Sequence, residues 1–96
     1  MRIIGRLSDP RMQITVFEND GRFPVQFELG GVTQVYRFRK GEELQHFGHV
    51  ERLVDEAFRA SVLDQFRAMH RIHAEVIGRQ TEGVATNPQH DLPDII

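Results

Sequence analysis

The fold of this chain is decided by residues 12–39, which read MQITVFENDGRFPVQFELGGVTQVYRFR. Large apolar residues alternate with other residues in three runs, and this period of two is typical of strands with one buried face. Asp20-Gly21 and Gly30-Gly31 separate the runs, and both dipeptides supply the positive φ angles of tight hairpins. The stretch therefore predicts three successive antiparallel strands, at residues 11–17, 22–29 and 32–39.

The same alternation assigns side chains to the two faces of the predicted sheet. The inward set of the first two of these strands is Met12, Ile14, Val16, Phe23, Val25, Phe27 and Leu29. In the third, Val32, Gln34, Tyr36 and Phe38 share one face, and Thr33, Val35, Arg37 and Arg39 share the other. Pro24 falls in the outward set. Because proline cannot donate to a ladder, strand 22–29 is expected to run along an edge at this point or to carry a bulge.

The flanking sequence completes the fold. Residues 3–8 predict a first strand, closed by a turn at Pro10, which presets φ and cannot continue a ladder. From about His49 to Arg79, apolar residues recur every three or four positions, which is the period of an amphipathic helix. Ser61-Val62-Leu63-Asp64 has the form of a capping box, so we expect either a continuous helix or one kinked at Ser61.

The predicted class is α+β: a four-stranded antiparallel meander, one long helix with or without a kink, and a flexible C-terminal tail. One β-β-β-β-α domain takes residues 1–79, and the tail takes residues 80–96. After Gly78 the sequence has no apolar period and little to bury. The apolar side chains that end the tail are therefore expected not to dock on the domain; they are Leu92, Ile95 and Ile96.

Composition limits the function classes. The 96 residues are 40% hydrophobic and 27% charged, which suits one small globular domain and leaves no room for two. Cysteine is absent, which excludes disulfides, thiol nucleophiles and metal sites built on thiolates. No run of about 18 apolar residues occurs, so we expect a cytoplasmic protein without membrane insertion.

The length of the predicted helix indicates a partner. Thirty helical residues extend roughly 45 Å, whereas seven-residue strands extend only about 23 Å. Half of the helix must therefore pass beyond the sheet, and its apolar residues would then lie in water. We expect a homodimer or a subunit of a larger complex, with a folded-back monomer as the alternative. The predicted interface consists of Val62, Phe66, Met69, His73, Val76 and Ile77.

Candidate chemistry is sparse. His46 with His49, and His70 with His73, have a spacing that suits two metal ligands on one helix face, but no third ligand is indicated. Adjacent carboxylates such as Glu42-Glu43 point about 100° apart on a helix, so they do not form a catalytic pair. No nucleophile or phosphate-loop motif occurs. We therefore expect no enzyme activity, no catalytic residue, no metal and no cofactor.

The outward sheet face suggests an alternative function. Residues 1–40 carry seven basic and four acidic residues, a net charge of +3. Basic side chains interleaved with an aromatic ring are typical of surfaces that bind single-stranded nucleic acid. The candidate residues for this alternative are Arg6, Phe17, Arg37 and Arg39. The sequence thus favours an assembly or accessory protein, with a nucleic-acid-binding module as the second hypothesis.

Two resemblances accompany these patterns. The element order resembles the β-β-β-β-α units of PUR-repeat, Whirly and positive-cofactor-four proteins, which bind single strands on their sheets and commonly assemble through helices. Their signature residues are missing here, so no site is carried across. Over about residues 1–72 the chain also resembles a group of short uncharacterised bacterial proteins, which implies a similar fold and size. The matching segments are Met1–Leu7, Pro10, Ile14–Phe17, Leu53–Phe58 and Met69-His70.

Overall fold

A four-stranded sheet followed by two helices makes up the fold. The computed structural model describes the backbone of residues 1–86 and the side chains of residues 1–80. Its elements are β1 (Arg2–Leu7), β2 (Gln13–Glu18), β3 (Arg22–Leu29), β4 (Val32–Arg39), α1 (Phe47–Leu53) and α2 (Glu56–Thr86). The strands pair in the order β1-β2-β3-β4, each antiparallel to the next. The predicted α+β meander with a long helix is confirmed.

The β3–β4 hairpin determines which backbone groups face outward. Gly30 and Gly31 have φ angles of 56° and 88°, which only glycine adopts easily. Leu29 pairs with Val32 across this two-residue turn and is therefore hydrogen-bonded to it. Since hydrogen-bonded pairs alternate with non-bonded ones, the N–H and C=O groups of every second β4 residue point away from β3. These residues are Thr33, Val35, Arg37 and Arg39.

Pro24 is accommodated without a bulge in β3. It pairs with Arg37 in an unbroken register with β4, and its side chain is buried. By the same alternation its nitrogen faces β2. The ladder between β2 and β3 stops at the pair Val16 and Val25, so it does not reach Pro24. The missing N–H therefore leaves no ladder bond unmade. The irregularity of the sheet lies instead in β1, between Ile3 and Gly5.

The helical region is interrupted at a different position from the one that the sequence predicts. The chain turns at Val54 and Asp55, not at Ser61, which is exposed within α2. Asp55 caps α2, because its Oδ1 accepts a hydrogen bond of 2.9 Å from the N–H of Phe58. Val54 is only 2% exposed, so the turn is also held by burial. The capping-box pattern at Ser61 was misleading because Asp55 supplies a cap six residues earlier.

The helix also ends later than predicted. α2 continues to Thr86 and passes through Gly78, so the predicted boundary between residues 1–79 and 80–96 lies inside it. A glycine within a helix costs about 1 kcal/mol, which is too little to end a helix whose neighbours favour helical backbone. Residues 87–96 lie outside the described residues, and so does the prediction that Leu92, Ile95 and Ile96 stay undocked.

The core forms where the start of α2 crosses the inward sheet face. Val62 and Phe66 are 1% and 0% exposed against the buried residues of β2 and β3. Phe58 packs edge-to-face on three rings of the sheet, with centroid distances of 5.2 to 5.9 Å; they are Phe27, Tyr36 and Phe38. The molecule measures 58 × 27 × 17 Å, because α2 runs on past the sheet.

Candidate interaction surfaces

Beyond His70, α2 leaves the sheet. Every described side chain from Arg71 to Gln80 is exposed. We call residues 71–86 the projecting segment. Ile72 and Val76 are 57% and 47% exposed, which is unusual for two large aliphatic side chains on one helix face.

An open apolar groove of about 520 Å³ runs along this segment, with almost no polar surface. We call it the helix groove. Its lining residues are Val32, Met69, Ile72, His73, Val76 and Ile77. Four of them belong to the predicted interface set. Ile72 is one of the apolar residues that the sequence places on the uncovered half of the helix, and only Val32 was given no such role. Val32, the first residue of β4, therefore forms one wall of the groove.

The predicted interface is divided by the structure. Val62 and Phe66 are buried against the sheet of their own chain and are not available to a partner. They were misassigned because they share one helical period with Met69 and Val76, and the period does not show where the sheet ends. Met69 is half-buried and packs at the rim of the core. The remaining three predicted residues, His73, Val76 and Ile77, lie on the projecting segment.

His70 anchors α2 to the β3–β4 hairpin at the point where the helix leaves the sheet. Its Nε2 lies 2.9 Å from the carbonyl oxygen of Leu29. A Cβ placed on Gly30 would lie 3.0 Å from the same nitrogen, so this glycine allows the close approach as well as the positive φ. This contact sets the position of the helix groove relative to β4.

An ion cluster holds the other end of α2. Asp9, whose side chain is 1% exposed, is 2.8 Å from Arg11 Nη2 and 3.1 Å from Arg59 Nη1. Arg59 also donates to the carbonyl oxygens of Ser8 and Val54, at 2.8 and 3.2 Å. The hydrogen bonds from Arg11 hold the pKa of Asp9 well below its ordinary value of 3.8. The turn between β1 and β2 is thereby tied to the start of α2.

A buried polar pair lies beneath the helix. Gln34 Nε2 donates to the carbonyl oxygen of Val62 at 2.9 Å, and its Oε1 accepts a hydrogen bond from the Tyr36 hydroxyl. Both polar groups of the Gln34 amide are therefore partnered, as buried amides require. Gln34 thus belongs to the packing of α2 on β4.

The outward face carries the four residues of the nucleic-acid hypothesis, as the alternation predicts. Arg6 stands on β1, half-buried Phe17 on β2, and Arg37 and Arg39 on β4. Arg6 and the β4 arginines lie three strand spacings apart, roughly 14 Å. Arg22, opposite Arg39, joins this set. Within the described part of the chain, none of the four arginines on this face forms a hydrogen bond or ion pair through its guanidinium group. Arg2 and Lys40, in contrast, both pair with Glu18.

A second apolar pocket, of about 300 Å³, opens beside the β4 edge. We call it the edge pocket; its lining residues are Tyr36, Phe38, Leu53 and Phe58. Leu53 stands at its rim and is 39% exposed. The sequence assigned no role to this pocket, although the last strand of a meander is an edge by topology, and Tyr36 and Phe38 face inward along it.

The histidine pairs do not form a metal site in the described structure. The rings of His46 and His49 stack with centroids 3.8 Å apart, and His49 Nδ1 accepts a hydrogen bond of 2.9 Å from the N–H of Gln45. His70 and His73 diverge, one toward Leu29 and the other into the helix groove. Among residues 1–80, no group of three or more potential ligands is placed to hold a metal ion.

No family model, curated protein or solved structure matches the chain. The resemblances to PUR-repeat and Whirly units and to short bacterial proteins therefore stay predictions. None of the helices in the described part of the chain combines the length and the apolar content needed to span a bilayer.

Proposed function

We propose that the protein is a non-enzymatic, cytoplasmic assembly protein that forms a homodimer through the projecting segment of α2. The helix groove is the observation that carries this proposal. It joins Ile72 and Val76, which lie in water in the single chain, to Val32 at the start of β4. Large exposed apolar surfaces of this kind are typical of protein–protein contact sites.

The energetics favour a covered segment. At 1.5 Å per residue the projecting segment extends roughly 24 Å, and an isolated helix of this length is marginally stable in water. Full burial of a valine or isoleucine stabilises by about 1.5–3 kcal/mol, so covering the exposed half of Ile72 and of Val76 gains about half of that for each. Two copies double the gain. These side chains thus supply about 3–6 kcal/mol, whereas association itself costs at least 4 kcal/mol. Burial of the other apolar residues of the groove must add to this, and we expect a weak dimer that forms at high protein concentration.

A second copy suits the apolar pattern of the segment. In an antiparallel two-fold arrangement centred on His73, Met69 of one copy lies opposite Ile77 of the other. Both residues line the groove, so the apolar side chains of one copy meet those of the other. A two-fold contact also closes the assembly and leaves no further apolar face exposed.

Sedimentation velocity with single-residue variants tests this proposal. Wild-type protein, measured from about 10 to about 500 µM, is expected to approach twice its monomer mass of 11.1 kDa. Ile72→Asp and Val76→Asp are expected to remain monomeric, because each places a charge in the contact. Ala74→Asp is the matched control, since Ala74 is exposed on the same helix but does not line the groove.

Folding of the variants is checked separately. At concentrations where the wild type is also monomeric, the urea midpoints of Ile72→Asp and Val76→Asp should match it, because both side chains are exposed in the single chain. A wild-type protein that stays monomeric would refute the homodimer, and an Ile72→Asp variant that still dimerises would refute its formation through the helix groove. Docking of the same segment to a larger complex is the alternative, and a pull-down comparing wild-type and Ile72→Asp baits would then test it.

A second candidate function is binding of single-stranded nucleic acid on the outward face. It is supported by the unpartnered guanidinium groups of Arg6, Arg37 and Arg39 around Phe17 in the described structure. Polarisation of a labelled oligonucleotide is expected to show affinity that falls steeply with salt, and Arg37→Ala with Arg39→Ala should weaken it without lowering the melting temperature. Absence of binding at low salt would remove this candidate.

A further inference from the structure

β4 is an open edge along its whole length. It has eight residues, no proline and an unbroken register with β3. The backbone groups that point away from β3 belong to Thr33, Val35, Arg37 and Arg39, and no described residue forms a hydrogen bond with them. A strand edge of this kind is a template for another extended chain.

The opposite edge of the sheet is less suitable. β1 has six residues, and its register shifts between Ile3 and Gly5. A bulge bends and twists a strand, which protects an edge from pairing. Of the two edges, β4 is therefore the one that a further strand fits.

The edge pocket supplies an anchor for such a strand. Tyr36 and Phe38 project from the inward face of β4, and Leu53 and Phe58 close the pocket from the helices. An added strand would place every second side chain on this face, beside β4. With a volume of about 300 Å³ and almost no polar lining, the pocket suits one large apolar side chain.

On the outward face of the same edge, positive charge favours an acidic partner. Arg37 and Arg39 project there, both exposed and neither paired within the described residues. A strand whose alternate side chains are acidic would pair with them. β4 of a second copy would instead bring these arginines toward the same edge, and like charges on neighbouring strands destabilise pairing.

We infer that the edge of β4 binds an extended peptide as a fifth strand, with an apolar side chain in the edge pocket and acidic side chains against Arg37 and Arg39. The backbone of the peptide pairs with the outward groups of β4. The edge pocket and the two arginines share no residue with the helix groove, so the inference does not depend on the homodimer.

Fluorescence polarisation with designed peptides tests the inference. The probe is an eight-residue peptide in which glutamate alternates with valine and one central phenylalanine. The first control has the same sequence with N-methyl groups on the alternate peptide nitrogens that would face β4. These groups remove the backbone donors that pair with β4. The second control replaces glutamate with lysine. We expect the probe to bind, the N-methylated peptide not to bind, and the lysine peptide to bind at least tenfold more weakly.

Three protein variants locate the site. Leu53→Asp places a charge at the exposed rim of the pocket and should weaken the probe at least tenfold without lowering the melting temperature. Arg37→Glu with Arg39→Glu should reverse the preference, so that the lysine peptide binds better. Ile72→Asp, in the helix groove, should leave the affinity unchanged.

The inference is overturned if the probe does not bind, if the N-methylated peptide binds as well as the probe, or if Leu53→Asp leaves the affinity for the probe unchanged. It is also overturned if a single-stranded oligonucleotide displaces the probe and binds Leu53→Asp as tightly as the wild type. That result would show that arginine charge alone carries recognition. If Ile72→Asp no longer bound the probe, the binding site would be the helix groove instead.

Discussion

Replacement of Asp9 by asparagine removes the negative charge at the centre of the ion cluster that holds the start of α2. Oδ1 accepts from the backbone N–H and Nε of Arg11, at 2.8 and 3.0 Å. Oδ2 accepts from Arg11 Nη2 at 2.8 Å and from Arg59 Nη1 at 3.1 Å. In Asp9→Asn, an amide donor that takes the place of Oδ2 faces two cationic donors, Arg11 Nη2 and Arg59 Nη1, and both hydrogen bonds are lost.

The expected loss follows from these bonds. Hydrogen bonds to charged groups contribute about 1.5–3 kcal/mol each, so two lost bonds set an upper figure of about 6 kcal/mol. Arg11 is 39% exposed and regains water, whereas Arg59 is 17% exposed and regains little. We therefore expect the free energy of unfolding to fall by about 3 kcal/mol. In a domain of this size the melting temperature should fall by roughly 12–24 °C.

Urea denaturation of Asp9→Asn, with Asp64→Asn as control, measures this loss. Asp64 also pairs with an arginine, Arg67, but both side chains are more than 70% exposed, so its replacement should cost no more than about 1 kcal/mol. The lowered pKa of Asp9 gives a second readout. A carboxyl whose pKa is lower in the folded state contributes stability that is present above its ordinary pKa of 3.8 and lost as the pH falls below it. The difference between wild type and Asp9→Asn should thus narrow at low pH; a loss below about 1 kcal/mol at pH 7, or one that is constant down to about pH 2, would refute the reasoning.

Three further predictions concern the elements that position the surfaces. Gly5→Val should destabilise by about 1–3 kcal/mol, because a Cβ there would lie 2.4 Å from the ring of Phe47, whereas Gly21→Ala, with no atom within 4 Å, should not; thermal unfolding compares them. Asp55→Ala should cost about 1 kcal/mol as a lost N-cap, and Ser61→Ala should be neutral; equal effects in urea unfolding would contradict the observed helix start. Burial, together with the nearby His46 and Arg52, lowers the pKa of His49, so the unfolded chain takes up a proton first as the pH falls below the ordinary 6.5. Wild-type stability should therefore fall between about pH 7 and pH 5, and His49→Gln, followed by urea midpoints over that range, should flatten the fall.

The sheet could be predicted in detail because its signals are local. Strands β3 and β4 have the predicted bounds, and the tight turn at Gly30-Gly31 follows from backbone sterics at two residues. The period of two also assigned Arg37 and Arg39 correctly to the outward face. The register shift between Ile3 and Gly5 was not predicted, because no local signal marks it. The close approach of the Phe47 ring to Gly5 joins residues far apart in the chain, and local patterns do not reveal such contacts.

The helical region was less predictable because two signals competed. Asp55 and Ser61 both have the chemistry of an N-cap. In the structure the chain turns at the first of them, where Val54 is buried. The ion cluster was not anticipated either. Asp9 and Arg59 are 50 residues apart in the chain, and their contact exists only because α2 crosses the sheet.

The sequence by itself determined the class of the fold, the order of its strands and the faces of its sheet, because periodicity and glycine sterics act within a few residues. Only the tertiary structure decided which apolar side chains of α2 remain uncovered. Phe66 and Val76 share one helical period, but Phe66 is buried under the sheet and Val76 is 47% exposed beyond it. The physical reason is that burial depends on where the sheet ends in space, and the hydrophobic period of a helix carries no information about that distance.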